Sequence, residues 1–107
     1  MSHDEDLTKR VREALSGVRP IEEKEMLGGL AFLVRGHMAC AVVGNDLVVR
    51  MDKDDCARAL ERPGARPMPT ANGMLLIGKA GTRARPRLQR WVWDSLAYVR
   101  TLPPPRG

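Results

Sequence analysis

Aromatic side chains are scarce in this chain of 107 residues, which has only Phe32, Trp91, Trp93 and Tyr98. So few rings leave little surface on which nucleobases stack, which argues against base-specific recognition of nucleic acid. The core must then be built from Leu, Val, Ala and Met, as is ordinary for one small domain. We expect a single domain over 1–107, with its core at about 5–102 and a tail at 103–107.

Cysteine and long apolar runs are scarce as well. Cys40 and Cys56 are too few for a disulfide-stapled secreted scaffold. No run approaches the roughly 18 apolar residues of a membrane span, and the first six residues are acidic and polar, the reverse of a secretory signal. These absences predict a soluble, cytoplasmic protein with no membrane partner.

No group of residues has the spacing of a catalytic or metal site. His37 and Cys40 lie three positions apart in one predicted strand, so alternation places their side chains on opposite faces. Two Cys and two His lack the ligand spacing of a zinc site. The carboxylates of Asp52, Asp54 and Asp55 are explained by helix capping. We predict no enzymatic activity, no cofactor, and no catalytic, cofactor-binding or metal-binding residue.

Positive charge is concentrated at the end of the chain. Residues 1–78 hold eleven Lys/Arg and twelve Asp/Glu, whereas 79–107 hold seven Lys/Arg against Asp94 alone. Such a cluster fits an anionic partner. The candidate anion contacts are Arg83, Arg85, Arg87 and Arg90. The alternative is a solvated helix face whose arginines pair with carboxylates of the first helix or the first strand.

Apolar periodicity predicts three helices and six strands. Helices are expected at 5–16, from Asp52 to a stop at Pro63, and from Pro86 to Leu102. Strands are expected at 21–26, 30–35, 37–43, 47–51, 65–68 and 74–77, with a loop at 79–85. Charged residues mark 21–26 as an edge strand. The order α-β-β-β-β-α-β-β-α predicts a two-layer α+β fold with helices packed on one antiparallel sheet.

The last helix has one apolar stripe at helical spacing, and Trp91 falls at the margin of that stripe. Its members are Leu88, Val92, Ser95, Leu96, Val99 and Leu102. The strand 74–77 instead has no polar alternation, so both of its faces should be covered or its edge paired. Because one helical layer covers only one face, we predict a symmetric homodimer through the exposed face or edge of the sheet, with Leu76 near the contact.

The run from Glu23 to Phe32 reads Glu-Lys-Glu-Met-Leu-Gly-Gly-Leu-Ala-Phe, with Gly36 and Met38 downstream. It resembles the signature of the TfoX N-terminal domain family. Further similar segments follow at 47–50 and 63–68, and in the final helix up to Pro103. The resemblance covers nearly the whole chain, from about 7 to 103. The chain departs from the family pattern at Leu27, where an aromatic residue is common, and at 70–73.

The resemblance implies a two-layer fold similar to secretion-chaperone-like domains. It also implies a non-enzymatic regulatory or protein-interaction module, with an unidentified protein partner. Its motif residues, as structural elements or partner contacts, are Lys24, Met26, Gly28, Gly29 and Gly36. Gly28-Gly29 is best interpreted as a bulge or bend between two strands. The alternative function is weak, sequence-independent nucleic-acid binding through the C-terminal arginines.

Overall fold

The computed structural model describes residues 4–26, 28–69 and 73–103. Within them the elements are α1 (Glu5–Ala14), β1 (Glu22–Met26), β2 (Gly29–Val34), β3 (His37–Val43), β4 (Asp46–Arg50), α2 (Lys53–Ala59), β5 (Ala65–Pro67), β6 (Met74–Ile77), α3 (Lys79–Thr82) and α4 (Arg85–Val99). This is the predicted α+β class with one additional short helix. Leu27, the loop residues 70–72 and the tail residues 104–107, on which some expectations fall, lie outside the described residues.

Aspartates begin the first two helices. The Asp4 side chain accepts a hydrogen bond from the Leu7 amide at 2.8 Å, and Asp52 accepts one from Asp54 at 2.9 Å. These bonds satisfy amides that have no partner inside the helix. The capping interpretation of the Asp52 region is therefore confirmed.

The six strands form one antiparallel sheet in the order β1-β2-β3-β4-β6-β5. β1 lies at an edge, as its charges predict. β6 lies between β4 and β5, because 65–67 pairs with 75–77. Both edges of β6 are therefore paired within the chain, so the predicted homodimer contact near Leu76 could use the face of that strand but not its edge.

All four described helices contribute to the region on one side of the sheet. The helix-facing core is a cluster of buried side chains that includes Val11 of α1, Phe32 of β2, Ala59 of α2 and Trp91 of α4. Residues of the other side form a separate cluster, which we call the second face. Its members are Ala31, Leu33, Met38, Ala41 and Val48, with the partly buried Val43, Met68, Met74 and Leu76. Among the described residues, no helix residue belongs to the second face.

Regular alternation is broken in β3. The register between β2 and β3 shifts just after Phe32, and Ala39 and Cys40 both pack in the helix-facing core. The expectation that His37 and Cys40 lie on opposite faces is therefore wrong, because the extra residue of a bulge cancels one alternation. His37 pairs with Val34 and Cys40 with Phe32, and both of these partners belong to the helix-facing core.

The segment before α4 differs from its predicted loop. Residues 79–82 form α3, and Gly81 lies so close to the last helix that an added Cβ would be 3.3 Å from Trp91 Nε1. Trp91 is consequently only 1% exposed, and its placement at the margin of the stripe is wrong. The apolar periodicity of α4 predicts that only one side of this helix is covered, whereas α3 covers a second side.

Gly28 and Gly29 of the family motif each occupy a position that favours glycine, but for different geometric reasons. Gly28 has φ +75° with open space around its Cα, so it supplies a backbone conformation that other residues rarely adopt. Gly29 has no positive φ, but a Cβ there would lie 2.1 Å from the carbonyl oxygen of Val42. The pair makes the bend between β1 and β2 and brings β2 against β3. Gly36 has φ +84° in the tight turn between β2 and β3.

Candidate functional site

The largest concavity described is a cleft of about 770 Å³ between α2 and α4. Its apolar lining comes from Met51, Ala59, Ala97 and Tyr98. Ala59 is buried and Ala97 is exposed, and both side chains are single methyl groups. The small residues leave room between the two helices, so this cleft admits another chain more readily than the rest of the helical layer.

The two helices run antiparallel along the cleft. At one end, Arg62 Nη1 lies 2.8 Å from Asp94 Oδ2, and the Arg62 guanidinium carbon lies 3.4 Å from the centroid of the Trp91 ring. At the other end, the Arg50 guanidinium carbon lies 6.0 Å from the centroid of the Tyr98 ring. These contacts place the beginning of α2 beside the end of α4, and the residues after α2 beside the first half of α4.

Charge is unevenly distributed along the cleft. Asp52 and Asp55 line it at the beginning of α2, and the Arg50 guanidinium lies beside Tyr98 at the same end. The lining toward the end of α2 comes from Arg58, Arg62 and Arg90 together with Glu61 and Asp94. Asp94 is engaged by Arg62 at 2.8 Å and by Arg90 at 3.9 Å. With Arg50 counted, the first end holds two carboxylates against one guanidinium, and the other holds three guanidiniums against two carboxylates.

Trp93 does not line this cleft but lies on α4 between residues that do. It is 54% exposed, and Met26 is the only other large hydrophobic residue classed as exposed in the described chain, at 36%. Arg90 precedes it by three positions and Ala97 follows it by four, so all three share one side of α4. Arg90 and Ala97 line the cleft. The sequence analysis missed Trp93, although its position outside the apolar stripe was the available signal.

The predicted anion contacts do not share one surface. Arg83 lines a hollow beside α1 together with Asp4 and Asp6, and Arg85 lines a different hollow together with Glu13. Arg87 Nη1 donates to the carbonyl oxygen of Ala80 at 3.0 Å, and Arg90 lies in the cleft described above. The structure therefore divides the four arginines among separate surroundings.

Among the described residues, none of the ion pairs found joins these four arginines to a carboxylate of α1 or β1, as the alternative interpretation expected. The ion pair between those two elements joins Arg12 to Glu23 at 2.7 Å, and the hydrogen bond to Glu23 raises the pKa of Arg12. Arg90 instead pairs within α4, with Asp94. In the described ranges, the ion pairs found involve neither Arg83, Arg85 nor Arg87.

The motif residues lie at the far edge of the sheet. Lys24 pairs with Ala31, which places it on the second face, and both Lys24 and Met26 are exposed. None of the five motif residues lines the cleft between α2 and α4. Their positions in strands and turns fit a structural role for the glycines and leave Lys24 and Met26 accessible.

The cysteines have the surroundings of unreactive side chains. Cys40 is fully buried, and burial raises its pKa to about 12. Partial burial also raises the pKa of Cys56, and the nearby Asp52 and Asp55 add to that shift. His37 Nε2 lies 2.6 Å from the carbonyl oxygen of Pro103. Among the described residues, no three His, Cys, Asp or Glu side chains are placed to hold a metal ion.

The described helices also bear on membrane association. Within 4–26, 28–69 and 73–103, no helix combines the length and the apolar character needed to cross a membrane. α4 is the longest, at 15 residues, and carries several arginines.

Comparison with known proteins gives one match. The family described as TfoX N-terminal domain matches residues 13–98, about four fifths of the chain. No curated protein and no solved structure matches the sequence. The matched range begins inside α1 and ends one residue before the end of α4, so it includes the whole sheet and every residue that lines the cleft except Thr101. The chain therefore belongs to the TfoX N-terminal domain family.

Proposed function

We propose that this protein is a non-enzymatic regulatory module that binds a segment of a partner protein in the cleft between α2 and α4. The observation that carries the proposal is Trp93, a large indole left 54% exposed on α4, between the cleft-lining residues Arg90 and Ala97 in sequence. Tryptophan and arginine are the residues in which binding energy is most often concentrated at protein interfaces. Trp93 has Arg90 on the same side of α4, so both types are present together.

The composition of the cleft favours a protein segment over a polyanion. Four carboxylates and three arginines line it, so the lining carries no excess of positive charge to attract phosphate groups. Its apolar lining of Met51, Ala59 and Ala97 offers contacts to aliphatic side chains, which nucleic acids lack. A peptide carries both apolar and charged side chains and matches this mixture.

Nucleic-acid binding through the C-terminal arginines remains the alternative proposal. It is supported by their number and by the absence of a described ion pair at Arg83, Arg85 and Arg87. Their division among separate hollows works against it. Retention on duplex DNA that weakens steeply with salt would favour this alternative, because phosphate binding releases counterions.

The non-enzymatic part of the proposal is supported by the state of the nucleophiles. A thiol whose pKa is about 12 is almost entirely protonated at neutral pH, and the thiolate is the reactive form. Cys56 is shifted in the same direction. Because the proposal names no substrate, it is tested by measuring binding and not by measuring catalytic activity.

A peptide-display selection on the full chain tests the proposal. Random peptides are selected on the wild type and then tested against Trp93→Ala, Ala97→Arg and the matched control Ala57→Arg. Ala57 and Ala97 are both exposed helix positions, but only Ala97 lines the cleft. We expect selected peptides to bind the wild type and Ala57→Arg and to lose affinity for the other two. Peptides that bind Ala97→Arg undiminished would refute the cleft as the site.

We also propose that the second face pairs with a second copy of the chain. One row crosses it through successive strand pairs: Lys24, Ala31, Ala41, Val48, Leu76 and Arg66. Charge is confined to the two ends of this row, and Arg66 is already paired with Asp46 at 2.9 Å. An apolar centre with a polar rim is the usual anatomy of a protein interface.

The accessible part of the second face is small. Ala31, Ala41 and Val48 are fully buried within the single chain, and Leu33 and Met38 are at most 8% exposed. A second copy would therefore contact chiefly the partly buried Val43, Met68, Met74 and Leu76.

A further inference from the structure

We infer that the partner segment is a short amphipathic helix whose charged residues are basic at one end and acidic at the other. The inference rests on the proposed function and specifies its ligand. It follows from three properties of the cleft: its length, the elements that form its walls, and the order of its charges.

The length of the cleft corresponds to about three helical turns. The stretch from Asp52 to Arg62 faces the stretch from Arg90 to Thr101, and both line the cleft. On the α4 side, the helical residues from Arg90 to Val99 span about 14 Å at a rise of about 1.5 Å per residue. A helix of about 10 residues has the same length. An extended strand would fill the cleft with about four residues and make fewer side-chain contacts.

The walls of the cleft favour a helical ligand. One wall is the helix α4 and the other is the short helix α2 with the turn that follows it, so neither wall is a strand with an edge to which another strand can add. An extended peptide would leave its own backbone groups without partners when buried. A helix satisfies these groups internally. The methyl side chains of Ala59 and Ala97 permit close approach, and the Trp93 ring then covers one flank of the ligand.

The charges of the cleft set the charge order of the ligand. Asp52 and Asp55 attract basic residues where α2 begins. At the other end, Asp94 is already engaged by two arginines, and Arg58 is exposed and takes part in none of the ion pairs found among the described residues. That end attracts acidic residues. Electrostatic complementarity of this kind mainly determines specificity and orientation.

The test uses a helical peptide library of about 10 residues, matched to the cleft length. Leucines are fixed at positions i, i+3 and i+7, and all other positions are random. The library is selected on the full chain, and the Kd of each selected peptide is measured by fluorescence polarisation. We expect selected peptides to carry Lys or Arg at one end and Asp or Glu at the other.

Charge reversal in the protein then tests the order directly. The variant Asp55→Lys with Arg90→Glu should weaken binding by about tenfold or more, and should prefer peptides with the two ends exchanged. The control Asp54→Lys with Arg87→Glu changes the same charges on the same helices, outside the cleft. It should bind like the wild type. Equal melting temperatures show that the variants are folded.

The outcomes separate the inference from the proposed function. Peptides that require an open cleft at Ala97 but tolerate the charge reversal would overturn the charge order and leave the proposed function intact. Selected peptides whose affinity survives a central proline would indicate an extended ligand and overturn the helix. A cleft occupied by a second copy or by nucleic acid, with no peptide sensitive to Ala97→Arg, would overturn both.

Discussion

Arg62 is stacked on Trp91, with its guanidinium carbon 3.4 Å from the centroid of the indole ring, and it also donates to Asp94. The residue thus ties the end of α2 to α4 at the basic end of the cleft. Trp91 is buried, so the positive charge lies over a ring that water does not reach. Such a contact is more favourable than the same contact in water.

Replacing Arg62 by methionine should lower the free energy of unfolding by about 1–2 kcal/mol, because both the cation–π contact and the ion pair are lost. Chemical denaturation followed by tryptophan fluorescence measures the change. Arg58→Met is the control, since Arg58 is exposed and has no recorded ion pair among the described residues. Equal losses in the two variants would contradict the stacking argument.

The two motif glycines should respond differently to alanine. Gly28→Ala should cost about 1 kcal/mol, because alanine disfavours a positive φ but meets no atoms there. Gly29→Ala should cost clearly more, because its Cβ would collide with the Val42 carbonyl at 2.1 Å. Thermal unfolding of both variants gives the comparison. A Gly29→Ala protein as stable as Gly28→Ala would show that β2 and β3 do not lie as close as described.

Stability at high pH should depend on Cys40. Burial raises its pKa to about 12 in the folded protein, from the ordinary value of 9.0, so between these values the unfolded chain loses a proton that the folded chain keeps. Stability must therefore fall as pH rises above about 9, by up to about 1.4 kcal/mol per pH unit from this group. The free energy of unfolding of Cys40→Ala should fall less steeply over the same range. Parallel curves for the two proteins would refute the buried thiol.

Ser95 should be replaceable with a gain in stability. Its Oγ is buried on the inner side of α4 and has no hydrogen-bond partner in the described structure. A buried hydroxyl without a partner costs about 1–3 kcal/mol relative to one that is satisfied. Ser95→Ala should thus raise the free energy of unfolding by about 1 kcal/mol, measured by urea denaturation. A clear loss of stability would mean that the hydroxyl makes a bond.

The homodimer should depend on Leu76. Its side chain is a partly buried member of the second face, so Leu76→Asp should place a charge in an apolar interface and give monomers of 11.9 kDa. Sedimentation equilibrium at micromolar concentration measures the mass. Ala57→Asp, on the exposed side of α2, should leave the wild-type mass unchanged. A wild-type protein that sediments as a monomer would exclude the dimer.

The elements of this fold were largely predictable because each has a strong local signal. The strand at 37–43 is apolar and begins after a glycine turn, and α1 has both a capping aspartate and helical periodicity. The bulge near Cys40 had no such signal, since neither it nor Ala39 is a residue type that marks irregular strands. Its cause is the pairing with β2, which the sequence of β3 alone does not contain.

The candidate site was harder to predict because it exists only where two distant segments meet. Arg62 and Asp94 are 32 positions apart. No periodicity within α2 or α4 indicates that these two residues form a contact between the walls of the cleft. Similarly, β5 is only three residues long and includes a proline. Its pairing with β6, which makes β5 the edge strand, therefore could not be anticipated. The position of Trp93 outside the apolar stripe indicates that it is exposed. A role for Trp93 in binding, however, depends on the neighbouring cleft.

The helices and the second face lie on opposite sides of the sheet, and this arrangement has a consequence for valency. Copies that pair through their second faces keep both clefts turned outward, in opposite directions. Such an assembly presents two identical receptor sites, so a partner that carries two target segments, or is itself a dimer, would be held by avidity. With a connection long enough to reach both clefts, apparent affinity would exceed that of one site by about 10²- to 10⁴-fold.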